Sequence, residues 1–283
     1  MGHPERPDRL RACVSALESC EFSKQLNWRE PRSATVSELE WVHSKEHIDH
    51  VKQVCESGGG YLDPDTPVCP ESYNIALKSA GAWMDGVDEV LKGNSAIVLS
   101  RPPGHHAEAD RAMGFCLFSN AALSATYALK QNDINKVAIF DWDVHHGNGT
   151  QHIVQSNPDI LYVSIHQFPF YPGTGSQLEK GDYDNVLNIP VPSGYGSTEY
   201  SPIFDEQVFP FIQNFCPDIL IISAGFDAHR NDPLAGINLV AEDFAYMTKR
   251  CLEIQPNLLL GLEGGYDLEA LEDCVIKVCV ELM

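Results

Sequence analysis

"KVAIFDWDVHHGNGT", residues 136–150, carries the reading that decides the fold. Its first residues form a short apolar run rich in β-branched side chains, the mark of a buried strand. Carboxylates and imidazoles come directly after it, and the chain then enters a stretch, 147–156, that reads as a helix. The same kind of run occurs four more times. "SAIVLS" (95–100), "DILYVSIH" (159–166), "DILIISAG" (218–225) and "NLLLGLEG" (257–264) are apolar and bounded by Gly, Pro, Asn or Asp. Helical stretches are expected at 7–20, 45–57, 71–92, 119–130, 199–215, 241–254 and 267–282. Alternating strands and helices predict parallel strands joined by right-handed crossovers. The expectation is an α/β fold, a single open, mainly parallel sheet with helices on both faces, occupying residues 1–283 as one domain. The stretch "QFPFYPGTGSQLEKGDYDNVLN" (167–188) is expected to be a long loop of the kind that often carries function.

Ligands of open α/β sheets bind beyond the carboxyl ends of the strands. The polar clusters fall there: "RPPGHH" after 95–100, "DWDVHHGN" at the end of 136–142, "GFDAHRNDP" after 218–224 and "EGGYD" after 257–262. Within the opening stretch, Asp141, Asp143 and His145 stand at i, i+2 and i+4, so in extended chain they share one face while Trp142 and Val144 face the packing. His146 breaks the alternation and reads as structural. A catalytic zinc site takes three protein ligands and leaves a position for water, and Asp143 and His145 are expected to supply two of them. Asp227, at another strand end, is the best third. This oxygen-rich set also suits iron(II). His105 and His106 look like a proton-transfer pair, with Asp141 and Asn148 available to orient them.

Bulk properties narrow the class. The net charge of −21, from 19 basic and 40 acidic residues, argues against direct nucleic-acid binding and favours cationic partners such as lysine-rich peptides or polyamines. Its plainer reading is a solubilising surface charge. No apolar run approaches the roughly 18–20 residues of a membrane helix, and no signal peptide opens the chain. Nine cysteines, an odd number without a C-x-x-C pair, read as reduced thiols in a cytoplasmic protein.

The motifs "HPERPDRL", "RPPGHHA", "GFCLFSNAA", "DWDVHHGNGTQ", "SIHQFPFYPGTG", "GFDAHRNDPL" and "LEGGYD" are together similar to the zinc-dependent histone deacetylase family, which includes acetylpolyamine amidohydrolases. The wording resembles the class II branch and its bacterial relatives. The resemblance implies the arginase/deacetylase three-layer sandwich and hydrolysis of N-acetyl-lysine, in a peptide or protein, or of an acetylated polyamine. An inactive acyl-lysine-binding module is a third reading. Implied zinc ligands are Asp143, His145 and Asp227. His106 would be the general base, oriented by Asn148, and His105 its neighbour, paired with Asp141. Tyr266 would donate to the substrate carbonyl and the oxyanion. Gly114, Phe115 and Tyr171 would line the acyl-lysine channel, with Asp63, or Asp65 close by, holding the substrate backbone. Asp141, Asp143, His145 and Ser164 would surround a structural potassium ion, and Arg6 would lie near an inner channel.

Polyamine-selective members place a glutamate just after the "DP" of the Asp227 loop, where this chain has Leu234. Arginases share the fold but need a second carboxylate two residues before Asp227, where this chain has Gly225. Family members also carry a strand before "HPERP", which here begins at His3. The resemblance therefore implies an N-terminal truncation and a sheet without that strand. A targeting segment lost with it would place the protein in the nucleus or an organelle instead.

Overall fold

The computed structural model describes residues 2–283. Among them the strands are β1 (Gly60–Asp63), β2 (Thr66–Val68), β3 (Ala96–Val98), β4 (Val137–Asp141), β5 (Ile160–Gln167), β6 (Val186–Val191), β7 (Ile219–Ala224) and β8 (Leu258–Leu262). The α-helices are α1 (Asp8–Ser19), α2 (Val36–Leu39), α3 (Lys45–Glu56), α4 (Ser72–Val90), α5 (Asn120–Ala128), α6 (Asn148–Val154), α7 (Ser197–Ile203), α8 (Phe209–Phe215), α9 (Ala241–Ile254) and α10 (Leu268–Glu281). A π-helical turn, Phe204–Val208, joins α7 to α8.

Strands β3 to β8 form one parallel sheet in the order β3-β8-β7-β4-β5-β6. Helices cover both faces, and the side-chain alternation of β4 shows how. Ala138, Phe140 and Trp142 join the core made with α1, α8, α9 and α10, whereas Val137 and Ile139 pack with α4 and α5. A third apolar cluster joins α2, α3 and α4 beside the sheet. This is the expected three-layer α/β architecture.

Two features differ from the sequence reading. Residues 186–191, which begin inside the loop expected at 167–188, pair in parallel with β5. The run "VLNIPV" contains Asn188 and Pro190 and so does not look like a strand, but β6 is a sheet edge, where proline costs least. "GYLDPDTPV" forms the antiparallel hairpin of β1 and β2, turned at Pro64 and Asp65. It is small, lies outside the main sheet and carries little apolar pattern.

Because β3, β4, β7 and β8 are parallel and adjacent, their carboxyl ends share one rim. A helix cap fixes the segment after β8. The Asp267 carboxylate accepts the Ala270 N–H to start α10 directly after Tyr266, a contact worth about 1 kcal/mol.

Candidate active site

Asp143, His145 and Asp227 bring their ligand atoms within 4.8 Å of one another, and all three are buried. His145 Nδ1 lies 3.0 Å from Asp143 Oδ1 and 3.1 Å from Asp227 Oδ2. Donors about 2.0–2.2 Å from a tetrahedral ion stand roughly 3.3–3.6 Å apart, so small adjustments seat such an ion. Backbone N–H groups hold the remaining lone pairs. Gly264 donates to Asp143 Oδ2 at 2.8 Å and Val144 to Asp227 Oδ1 at 2.8 Å. The carboxylates draw positive charge strongly. Despite burial, their hydrogen bonds push His145 up to about 10. The donor set therefore fits a divalent cation. Glycine is required around it: a Cβ on Gly225 would overlap the Asp143 carboxylate, and one on Gly264 would stand 2.5 Å from Asp143 Oδ2. The first clash also excludes a carboxylate at position 225, which a two-metal arrangement needs.

The tandem histidines lie beside this trio, their ring centroids 4.0 Å apart. His105 Nδ1 donates to Asp141 Oδ2 at 3.1 Å, and His106 Nδ1 donates to Asn148 Oδ1 at 2.8 Å. The unequal partners separate the two rings. Against burial, the charges of Asp143 and Asp141 raise His105. Burial and the adjacent His105 and His145 lower His106, which favours its neutral form. Both nitrogens of His146 are engaged, with Thr174 Oγ1 at 2.7 Å and Gln151 Oε1 at 2.8 Å.

Tyr266 is fixed by its backbone N–H donating to Asp232 Oδ2 at 2.7 Å and by the Arg9 guanidinium 5.0 Å from its ring centre. Burial raises its hydroxyl well above the ordinary tyrosine range, keeping it a donor.

Residues 3–282 match the histone deacetylase domain. The chain belongs to the histone deacetylase family. It is accordingly a hydrolase of that type. It is 47% identical to an uncharacterised protein of Synechocystis over 99% of this chain and 94% of the other. It is 41% identical to a probable deacetylase of Methanothermobacter thermautotrophicus over 95% and 82%. The crystal structure of the HDA15 HD domain superposes with a TM-score of 0.95 at 39% identity, covering all of this chain and 82% of that one.

In this deacetylase-family enzyme the aromatic pair expected along the channel stands over the site. Tyr171 sits edge-on to His106 at 5.1 Å, and Phe115 edge-on to Tyr266 at 6.0 Å. Gly114, at φ +56°, lies against the His106 ring, and a Cβ there would stand 2.7 Å from Cγ. Leu234 is partly exposed, its N–H bound to Asp232 Oδ1 at 2.9 Å. The Asp63 carboxylate pairs with Arg111 at 3.0 Å, while Asp65 accepts the Gly114 N–H at 3.2 Å. Ser164 stands opposite Asp141 in the β4–β5 register, its Oγ 3.0 Å from His166 Nδ1. No described helix is long and apolar enough to cross a membrane.

Arg6 departs from the expectation of an inner channel. It is exposed and paired with Asp8 at 3.5 Å, and the buried arginine is Arg9. Arg9 Nε donates to the Gly265 carbonyl at 2.6 Å and Nη2 to that of Glu263. The sequence holds a signal for this, since Arg9, Ala12, Cys13 and Leu17 share the buried face of α1. Glu263 is a second residue that sequence reasoning missed. This buried carboxylate accepts from Gly104 N at 2.6 Å, His105 N at 3.2 Å and Ser223 Oγ at 2.9 Å, and burial pushes it up to about 7. It ties the tandem-histidine turn to β7 and β8. A carboxylate ending the apolar run "LLLGLE" is the clue. Phe170 stacks on His145 at 5.1 Å, and only the fold shows that contact.

Proposed function

We propose that the enzyme hydrolyses the amide of N-acetyl-lysine side chains, releasing acetate and the free amine. The observation that carries this reading is the convergence of His106, Tyr266 and the Asp143–His145–Asp227 trio beneath the Phe115–Tyr171 pair. Two aromatic walls suit an aliphatic stem, and the groups below them suit an amide. We assign zinc to the trio, although its two carboxylates also suit iron(II). A structural potassium ion belongs near Asp141, Asp143, His145 and Ser164. When bound, the divalent ion supplies Lewis acidity to the acyl oxygen and lowers the pKa of a water toward roughly 7.

The chain's own residues carry the rest. His106 is buried, holds its Nδ1 hydrogen on Asn148, and offers Nε2 to take the proton of the attacking water. Tyr266 donates its hydroxyl hydrogen to the oxygen on which negative charge develops. As the C–N bond breaks, the imidazole returns the proton to the departing nitrogen, since an amine anion is too basic to leave. His105 is held by Asp141, and against burial the charges of Asp143 and Asp141 favour its protonated form. Asp63 at the rim holds the substrate backbone.

The net charge of −21 favours a second reading, acetylpolyamine hydrolysis. Leu234 favours lysine, because a leucine packs on one alkyl stem and offers nothing to a second ammonium. A carboxylate there would add a charge-assisted bond of about 1.5–3 kcal/mol. The test is kcat/KM for acetyl-lysine peptides and N8-acetylspermidine with wild type and Leu234→Glu. We expect wild type to prefer the peptide and the variant to shift by roughly 10–100-fold toward the polyamine. A wild type that prefers the polyamine replaces the first reading with the second.

A further inference from the structure

His106 does not end its chain of hydrogen bonds at Asn148. The Asn148 Nδ2 group donates to Glu108 Oε1 at 2.8 Å, with the His106 carbonyl at 3.5 Å and Met113 Sδ at 3.4 Å on the same side. An asparagine amide has one accepting and one donating end, and its neighbours decide which way it faces. A carboxylate only accepts. Glu108 therefore turns the NH2 of Asn148 toward itself and the Oδ1 toward His106.

That orientation has a chemical consequence. Facing an amide oxygen, His106 Nδ1 must carry the ring hydrogen, which leaves Nε2 with the free lone pair. Were the amide reversed, its NH2 would face Nδ1, the hydrogen would move to Nε2, and the ring would have nothing with which to take a proton. We propose that Glu108 is a positioning residue that fixes the tautomer of His106 through Asn148. Asp141 sets His105 by direct contact, whereas His106 is set at one remove by a neutral amide. The arrangement holds the tautomer without placing a carboxylate against the base.

Glu108 is itself held in register. Its N–H donates to the Arg111 carbonyl at 2.9 Å. Its carbonyl accepts from His43 Nδ1 at 3.0 Å, and His43 must carry hydrogen there because its Nε2 accepts the Ser119 N–H at 2.9 Å. The Glu108 side chain is only partly buried, so a lysine can be accommodated there.

This role rests on the proposed hydrolysis with His106 as base, and the test separates the two. In the histidine-15N-labelled, metal-loaded protein, two-bond 1H–15N correlations report which ring nitrogen of His106 holds the hydrogen. Kinetics with an acetyl-lysine peptide are measured alongside. Wild type and Glu108→Gln should show the Nδ1–H form. In Glu108→Lys the ammonium can only donate, so Asn148 should reverse and the hydrogen move to Nε2. There kcat should fall at least about 10²-fold, the lower end of what a general base contributes, with KM within about twofold. Adding Asn148→Asp should restore Nδ1–H and recover kcat to within about fivefold, because a carboxylate accepts from the introduced ammonium and from His106 together. Should Glu108→Lys fail to fold, Glu108→Ala removes the acceptor without adding a charge and should give a mixture of tautomers. An Nδ1–H form indifferent to residue 108, or a folded double variant that does not regain it, overturns the relay. A tautomer that responds as described in an enzyme inert toward every acyl amide overturns the proposed N-acetyl-lysine hydrolysis and leaves the relay standing.

Discussion

Gly264→Ala tests the metal centre by one methyl group. Gly264 lies between the two carboxylates and donates its N–H to Asp143 Oδ2 at 2.8 Å. Its φ is not in the left-handed region, so alanine is conformationally admissible and the effect is steric. The added Cβ would overlap Asp227 Oδ2 and stand 2.5 Å from Asp143 Oδ2, where real contacts begin near 3.0 Å. Asp143 must then move by at least about 0.5 Å and Asp227 by more, against the roughly 0.2 Å that metal–ligand distances tolerate. Neither carboxylate can swing freely, since Val144 N holds Asp227 and His145 N holds Asp143 at 2.9 Å. Overpacking costs about 1–3 kcal/mol, which at about 2–4 °C per kcal/mol lowers Tm by several degrees. The larger effect should be on the metal. Disturbing supporting contacts alone costs 10–100-fold in affinity, and displacing two ligands should exceed about 100-fold. Elemental analysis after gel filtration, zinc titration followed by thermal unfolding, and kcat/KM on an acetyl-lysine peptide measure each part. A Gly264→Ala protein that holds one equivalent of metal and keeps kcat/KM within about threefold of wild type would refute the assignment of Asp143 and Asp227 as paired ligands.

Tyr266→Phe should lower kcat by about 10²–10³-fold, equivalent to about 2.7–4 kcal/mol for a lost oxyanion donor. Retained metal by elemental analysis separates this effect from damage to the site, and a loss below tenfold would remove the hydroxyl from the mechanism. Arg9→Met should leave the Gly265 and Glu263 carbonyls without their donor, at about 1–3 kcal/mol for each buried group. Calorimetry should show a lower Tm, and kcat should fall more than KM rises because Tyr266 loses the cation beside its ring. An unchanged Tm would mean that water replaces the guanidinium without penalty.

Sequence alone determined the sheet's main strands, their helical crossovers and the rim on which the chemistry sits. Each of these is a local property. Strands β4, β5, β7 and β8 are contiguous apolar runs, and Asp143, His145 and Asp227 stand directly after two of them, so strand direction places them together. Asp141 and Asn148 were also legible as partners for the tandem histidines, while which histidine each one takes came from the family resemblance. Only the tertiary structure decided the contacts that join distant parts of the chain. Arg9 and Gly265 are 256 residues apart, and Glu263 and Gly104 are 159 apart. Neither pairing leaves a trace in local periodicity. Strand β6 exists because β5 offers it an edge, and Arg9 is chosen over Arg6 because it lies on the buried side of α1, whereas Arg6 precedes the helix and is exposed. Asn148 shows the division within one residue. Its type names a hydrogen-bond partner for His106, but which end of the amide faces the ring depends on Glu108, forty residues away in sequence and brought alongside by the fold.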